Sequence, residues 1–207
     1  GKEGTIVITR SNKRANIYNN GIRAMVLGRE EELCSGDMLM IVKNNYYWTE
    51  KEKGKGDSTA ADVSTPAFLA NGDRCVVRRV RNVREMYGFR FADLMLTFPD
   101  YDDYELTATV MLDSLQSEAP SLTREQTERL YNAVLADYAD IPLKTDRMKA
   151  LRNDPYYNAI QIKYAYAVTC HKAQGGQWAH VYLDQGYMTD EMLTPDYIHW
   201  LYTAFTR

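Results

Sequence analysis

The sequence predicts an α/β fold that is interrupted by a small β-rich module. Near the N-terminus, a β-branched run is followed directly by a segment with helical periodicity, which is the basic α/β unit. Strand and helix patterns alternate again near the C-terminus. Between them lie several short β-type runs, at a spacing typical of a small barrel or an antiparallel sheet. We therefore divide the chain into an α/β part at 1–70, an inserted β-rich module with a helical extension at 71–155, and a second α/β part at 156–207.

The first α/β part begins with a predicted strand, "TIVITRS", at Thr5–Ser11. A helix follows, with Ser11 or Asn12 as its cap and Gly28 as its stop, because a side-chain oxygen can accept the free N–H groups of a first turn. "GDMLMIV" at 36–42 has the composition of a further strand. The predicted buried stripe of the helix consists of Ala15, Tyr18, Ile22 and Met25.

The inserted module starts at the turn signal Asn71-Gly72 and includes a predicted strand at Tyr104–Leu112. Its helical extension begins at Thr123, which can form a capping box with Gln126. A second short helix is expected to stop at Asp154-Pro155, because proline cannot continue a helix.

The second α/β part contains two predicted strands, "KYAYAV" and "AHVYLD", and a final helix. Thr194 is the expected cap of this helix, and Pro195 suits its first position because proline needs no hydrogen-bond partner there. Its predicted buried stripe consists of Ile198, Leu201, Tyr202 and Phe205.

Composition limits the possible functions. The chain has 207 residues, 45% of them hydrophobic, which is enough for a sizeable core. The formal net charge is -3, so any nucleic-acid site has to be local. The three cysteines contain no C-x-x-C pair, which favours a reducing, cytoplasmic location over a disulfide scaffold or a structural zinc. We also expect no metal site. We expect no membrane association, because no apolar run approaches the roughly 20 residues of a spanning helix. The strand at the start and the helix at the end suggest a piece of a longer protein.

The loop after the "KYAYAV" strand is the richest in chemistry. Ligands collect at the carboxyl ends of strands in α/β sheets, and this loop offers a hydroxyl, an imidazole, an ammonium and an amide there. Two adjacent glycines allow a ligand to approach the backbone closely. Such a set suits phosphate, but it also suits a polar turn with a capping threonine and a solvated lysine. The loop consists of Thr169, Cys170, His171, Lys172, Ala173, Gln174, Gly175 and Gly176.

Four segments resemble motifs of superfamily-one helicases of the RecD-like branch. "YAVTCHKAQGGQW" is similar to motif V, Thr-x-His-Lys-x-Gln-Gly, and "WLYTAFTR" is similar to motif VI, Tyr-Thr-Ala-x-Thr-Arg. "VITRSNKRANIYNNGIR" resembles motif IV, and "GDMLMIVKNNY" resembles the Gly-Asp strand that follows it. "LANGD" resembles the start of the inserted module in that family. Cys170 departs from the more usual Val or Ile.

The resemblance implies a second RecA-like domain that is interrupted by a small SH3-like domain. ATP and Mg²⁺ would then be shared with a first RecA-like domain of the same protein, which supplies the phosphate loop. By its match to motif VI, Arg207 would be the catalytic arginine that reaches the γ-phosphate, where a guanidinium stabilises the charge of the transition state. The alternative for Arg207 is a helix-end cation that is favoured by the helix dipole.

The resemblance also assigns binding residues. It puts Gln174 and Gly175 near the nucleotide, and Thr169 and His171 near single-stranded DNA. Lys172 could serve either ligand, and we assign it to DNA. Asn12 and Arg14 are candidates for DNA phosphate contact, with a helix cap and a solvated face as the alternatives. Arg79 and Arg81 lie on one face of a predicted strand, where they would either follow a DNA backbone or be solvated.

The expected function follows from what is present and what is missing. The sequence contains no G-x-x-x-x-G-K-[ST] phosphate loop. We therefore expect that the fragment alone neither hydrolyses ATP nor unwinds DNA. The resemblance implies that the whole protein is an ATP-dependent DNA helicase that moves 5′ to 3′ on single-stranded DNA, in DNA repair. Any exodeoxyribonuclease activity would come from nuclease partner subunits. The alternatives are a non-catalytic nucleic-acid-binding module on a RecA-like scaffold and a purely structural interaction domain.

Overall fold

A computed structural model describes residues 4–54 and 65–206, which form two compact units. The sheet unit comprises 1–32 and 164–207, and the barrel unit comprises 33–163. The barrel unit is thus longer at both ends than the insertion at 71–155 that the sequence predicts. The difference has a physical reason, because the strands on either side of the predicted insertion pair within the barrel.

Within the described residues, the strands and α-helices are each numbered in chain order. The strands are β1 (Thr5–Thr9), β2 (Met38–Ile41), β3 (Arg74–Met86), β4 (Phe89–Phe98), β5 (Tyr104–Met111), β6 (Ile160–Tyr164), β7 (Ala167–Thr169) and β8 (His180–Leu183). The α-helices are α1 (Asn12–Gly21), α2 (Tyr47–Lys53), α3 (Arg124–Asp137), α4 (Lys144–Arg152), α5 (Cys170–Ala173) and α6 (Pro195–Thr206). Among these described elements, no helix combines the length and the apolar character that crossing a membrane requires.

The sheet unit contains a three-stranded parallel sheet in the order β7-β1-β8. β1 lies in the centre, where Val7 pairs with Ala167 and Ile8 pairs with Leu183. Ile6 and Ile8 lie on the same face of the strand and are almost completely buried, whereas Thr5 and Val7 on the other face are half-buried. The β-branched composition that predicted this strand therefore reflects its position in the sheet.

Helix α1 begins at the predicted place but buries a partly different stripe. The Ser11 hydroxyl accepts a hydrogen bond from the Arg14 N–H at 3.2 Å, so Ser11 is the cap. The helix continues as one π-helical turn at Ile22–Val26. Of the predicted stripe, Ala15 is buried and Tyr18 and Ile22 are half-buried, but Met25 is 84% exposed. The buried residues are Ala15, Asn19 and Arg23, and the last two are buried because hydrogen bonds and ring contacts satisfy their polar groups.

The barrel unit is a closed barrel of β2, β3, β4, β5 and β6. The first four strands pair antiparallel in sequence order, and β6 joins β5 in parallel. β2, which the sequence analysis assigned to the α/β part, pairs with β3 at Leu39 and Cys75. Leu39, Val77, Leu94 and Leu96 are fully buried inside the barrel. Each such side chain stabilises the fold by about 1.5–3 kcal/mol relative to exposure.

The helical extension covers one part of the barrel. The capping box at the start of α3 is confirmed, with Gln126 N–H donating to Thr123 Oγ1 and Thr123 N–H donating to Gln126 Oε1. Leu130 and Val134 of α3 and Leu151 of α4 pack together with Phe89 and Phe91 of the barrel. The extension therefore belongs to the same hydrophobic core as β4.

The C-terminal elements depart from the prediction in two ways. The single predicted strand "KYAYAV" is divided between β6, which completes the barrel, and β7, which joins the sheet. Thr194 does accept a hydrogen bond from the N–H of Tyr197, at 3.3 Å. The predicted stripe of α6 is wrong, since its buried residues are Tyr197 and Ala204. Ile198, Tyr202 and Phe205 are exposed by 58%, 69% and 70%.

Candidate functional site

The carboxyl ends of the three parallel strands lie at one edge of the sheet. β1 ends at Thr9, β7 ends at Thr169 and β8 ends at Leu183. Thr9 is fully buried, and its hydroxyl lies 3.0 Å from the Ser11 carbonyl and 3.4 Å from the Val168 carbonyl. This edge is where α/β sheets bind ligands, and it carries the segments that the sequence analysis singled out.

Asn19 fixes the backbone just before the loop. Its Oδ1 accepts hydrogen bonds from the N–H groups of Tyr166 and Ala167, at 3.1 and 2.7 Å. Its Nδ2 donates to the Ala167 carbonyl at 2.9 Å and to the Tyr164 carbonyl at 3.4 Å. The amide thus satisfies the backbone where the chain passes from β6 to β7. Sequence reasoning missed this role, because an asparagine in a helix is ordinarily read as exposed.

The loop itself begins with the single helical turn of α5. Cys170 and Ala173 are buried, whereas His171 and Gln174 are exposed. Lys172 is half-buried, and desolvation lowers the pKa of its ammonium. In this single turn, Cys170 and Ala173 therefore anchor the loop in the core, and the polar side chains of His171 and Gln174 stay accessible to a ligand.

The two glycines of the loop are needed for different reasons. Gly175 has φ +83°, a left-handed conformation that side chains with a Cβ rarely adopt. Gly176 lies against the indole of Trp178, where an added Cβ would come within 2.0 Å of the ring. A side chain at position 175 would therefore strain the backbone, and one at position 176 would require the Trp178 indole to move.

Arg14 and Asp184 connect α1 with the end of β8. The Arg14 guanidinium binds the carboxylate through two hydrogen bonds, one of them from Nη2 to Oδ1 at 2.9 Å. The hydrogen bond from Arg14 lowers the pKa of Asp184. Asn12, the other motif IV candidate, is the first residue of α1 and is half-buried. Arg14 is thus engaged within the unit, although its side chain stays at the surface.

Arg10 is a further cation at this edge, and sequence reasoning missed it. It directly follows β1, and its guanidinium carbon lies 5.2 Å from the ring centroid of Tyr197 and 5.5 Å from that of Trp200. The two rings stack on each other with centroids 6.0 Å apart. The available signal was an arginine immediately after a buried strand, in "TRS". The predicted catalytic Arg207 lies outside the described residues.

Arg79 and Arg81 belong to the barrel unit and lie on β3. The strand has register shifts between Val77 and Arg79 and between Arg81 and Arg84. Arg78 and Arg79, on either side of the first shift, are both exposed, and Arg78 Nε donates to Thr97 Oγ1 at 2.8 Å. Arg74 and Arg84 are half-buried and form ion pairs with Asp100 at 3.1 Å and with Asp93 at 2.9 Å. β3 therefore presents three arginines at the surface of the barrel unit.

No metal centre accompanies these residues. Within 4–54 and 65–206, no group of three or more His, Cys, Asp or Glu side chains could hold a metal ion. All three cysteines are free thiols.

Part of the chain matches a known protein family. Residues 164–207 match the family model described as the UvrD-like helicase C-terminal domain. The matched segment runs from the end of β6 through the loop and α6. No curated protein matches the chain. The match supports a superfamily-one helicase and suggests a motor-domain fragment, with nucleic acid as its partner.

Proposed function

We propose that the chain is the second motor domain of an ATP-dependent DNA helicase of the RecD-like branch. In this proposal the sheet unit is RecA-like and the barrel unit is an SH3-like insertion. The observation that carries it is the loop at 169–176, which leaves the carboxyl end of a parallel strand inside the segment that matches the helicase family. The three free thiols agree with a reducing, cytoplasmic location.

The exposed residues of the loop serve two ligands in this proposal. Gln174 and Gly175 contact the nucleotide, and Thr169, His171 and Lys172 contact single-stranded DNA. Because α5 is a single turn with buried anchors on either side, a shift caused by one ligand moves the contacts to the other. That arrangement would couple ATP hydrolysis to movement along the strand, which we propose to run 5′ to 3′. Any exodeoxyribonuclease activity would reside in a partner subunit.

ATP and Mg²⁺ are bound mainly by the first motor domain in this proposal. The residues of this chain supply the remaining wall of the nucleotide site, and Arg207 stabilises the charge that develops on the transferred phosphoryl group. An arginine in this position is worth roughly 10³–10⁵ in rate in nucleotide hydrolases. Nothing in this role requires a metal ligand from this chain.

The test uses the protein that carries this chain together with its first motor domain. ATP hydrolysis is measured with and without single-stranded DNA for the parent, for Arg207→Ala and for Arg207→Lys. We expect DNA-stimulated hydrolysis in the parent and a fall in kcat of roughly 10³-fold or more in both variants, with ATP binding retained. Arg152→Ala, a substitution of an exposed arginine at the end of α4, is the matched control. Unchanged kcat in Arg207→Ala would refute the catalytic assignment and favour a non-catalytic binding module.

A further inference from the structure

The barrel unit contains a cavity that the helicase proposal does not use. Its volume is about 190 Å³, below the roughly 300–1,000 Å³ of sites for drug-sized ligands, so it fits one small group. The lining comes from the segment after β2, from the start of α3 and from the segment that leads into β6. It consists of Lys43, Asn44, Asn45, Tyr46, Tyr47, Leu122, Thr127, Leu130, Tyr157, Asn158, Ala159 and Gln161.

Tyr46 provides an aromatic surface at this cavity. Its ring stacks on Phe68, with centroids 4.7 Å apart and an interplanar angle of 24°. Tyr46 lines the cavity, whereas Phe68 does not. Tyr46 is also 52% exposed, unlike its neighbour Trp48, which is buried and donates to the Asn158 carbonyl. A planar ligand can therefore stack on Tyr46.

Three polar side chains of the cavity can donate hydrogen bonds to a ligand. Gln161 is only 7% exposed and uses its Oε1 to accept the Leu122 N–H, but its Nε2 has no acceptor among the described residues. Asn44 Oδ1 likewise accepts a hydrogen bond from the Asn71 N–H. Lys43 is exposed and has no ion-pair partner in the described part of the chain. No Asp or Glu lines the cavity, so the ligand that fits offers acceptors and negative charge.

We propose that this cavity binds one unpaired base of single-stranded nucleic acid, together with its phosphate. A nucleobase presents a flat face for Tyr46 and carbonyl oxygens for the amide of Gln161, and the adjacent phosphate suits Lys43. A proline-rich peptide also stacks on tyrosines, but it is uncharged and leaves Lys43 without a role. The inference rests on the proposed function, because a motor that moves along a strand brings unpaired bases to its own surface.

The test measures binding of a fluorescent oligothymidylate to the 207-residue chain, without ATP. We expect Tyr46→Ala to weaken affinity about 5- to 150-fold and Tyr46→Trp to retain it, because any aromatic face can stack. Lys43→Ala should reduce the slope of log K against log salt by about 0.7, the value for one phosphate contact on a single strand. Leu143→Ala and Lys149→Ala, at exposed positions outside the cavity, are the matched controls. Circular dichroism checks that each variant is folded.

Three further measurements distinguish single-stranded nucleic acid from a mononucleotide or a peptide as the ligand of the cavity. An oligonucleotide that carries 5-iodouracil should photo-crosslink to a peptide that contains Tyr46 or Tyr157. Thymidine monophosphate should compete only weakly, and a polyproline peptide should not compete. Equal affinity for the mononucleotide, or displacement by the peptide, would overturn the proposal. So would unchanged oligonucleotide binding in Tyr46→Ala, even if the Arg207 test upholds the motor assignment.

Discussion

The side-chain amide of Asn19 pairs with both backbone groups of Ala167. Asn19 Oδ1 accepts the Ala167 N–H at 2.7 Å, and Asn19 Nδ2 donates to the Ala167 carbonyl at 2.9 Å. On the other side of the strand, the Val7 N–H donates to the Tyr166 carbonyl at 3.0 Å. β7 is an outer strand of the described sheet, so Asn19 takes the place of a further strand at this point.

Asn19→Ala should lower the free energy of unfolding of the sheet unit by about 2–4 kcal/mol, because it removes the side-chain partner of the Tyr166 and Ala167 N–H groups and of the Ala167 carbonyl. The measurement is urea unfolding, with hydrogen exchange at the Ala167 amide as the local readout. Asn132→Ala, an exposed asparagine on α3, should change stability by less than about 0.5 kcal/mol. Equal effects of the two substitutions would contradict the structural role of Asn19.

Gly176→Ala should displace the indole of Trp178, because the new Cβ would lie 2.0 Å from the ring. The indole N–H resonance of Trp178 in an NMR spectrum should shift strongly. Gly175→Ala should leave that resonance close to its original position, since an added Cβ there meets nothing within 4 Å. It should instead cost about 1–2 kcal/mol of stability through its left-handed backbone. The contact is refuted if Gly176→Ala leaves the Trp178 resonance unchanged.

Asp184→Asn should lower the melting temperature at neutral pH and have little effect in acid. The hydrogen bond from Arg14 lowers the pKa of Asp184 in the folded state. A lowered pKa contributes stability above the unfolded-state value of about 3.9, and that contribution is lost as the pH falls through the folded-state pKa. The difference in melting temperature between parent and variant should therefore shrink below about pH 4. A difference that is constant with pH would exclude the ion pair as its origin.

Arg79→Ala and Arg81→Ala should each weaken binding of single-stranded DNA without changing stability. Both side chains are exposed on β3, and each contact to a phosphate contributes about 0.7 to the salt slope for a single strand. Salt-dependent fluorescence anisotropy measures this slope. Arg124→Ala, at an exposed position on α3, is the control, and equal slopes for all three variants would favour an ordinary solvated face.

Structural features that depend only on neighbouring residues were predicted correctly from the sequence. The capping box of Thr123 and the cap at Thr194 depend on residues three positions away, and both are present. The stripe of α1 was only partly right, because Asn19 and Arg23 are buried by partners on distant segments, which helical periodicity does not reveal. The assignment of β2 failed for the same reason, since its partner Val76 lies far along the chain from Met38.

The candidate site likewise combines features that depend on neighbouring residues with features that depend on segments far apart in the sequence. The loop at 169–176 could be recognised from residue types and their order. The contributions of Arg10 and of the Arg14–Asp184 pair could not, because each depends on elements that are far apart in sequence and meet at the carboxyl edge of the sheet. Local patterns also do not locate the register shifts of β3, which interrupt the alternation of side chains near Arg79 and Arg81.

The most direct test of the central claim is whether the loop couples nucleic acid to nucleotide. ATP hydrolysis is measured against single-stranded DNA concentration in the protein that carries both motor domains, for the parent, His171→Ala and Gln174→Ala. The account predicts that His171→Ala raises the DNA concentration needed for stimulation and leaves basal hydrolysis intact, whereas Gln174→Ala raises KM for ATP. The motor function would be contradicted if ATP hydrolysis by the parent does not respond to DNA. It would also be contradicted if both variants show the same DNA and ATP dependence of hydrolysis as the parent.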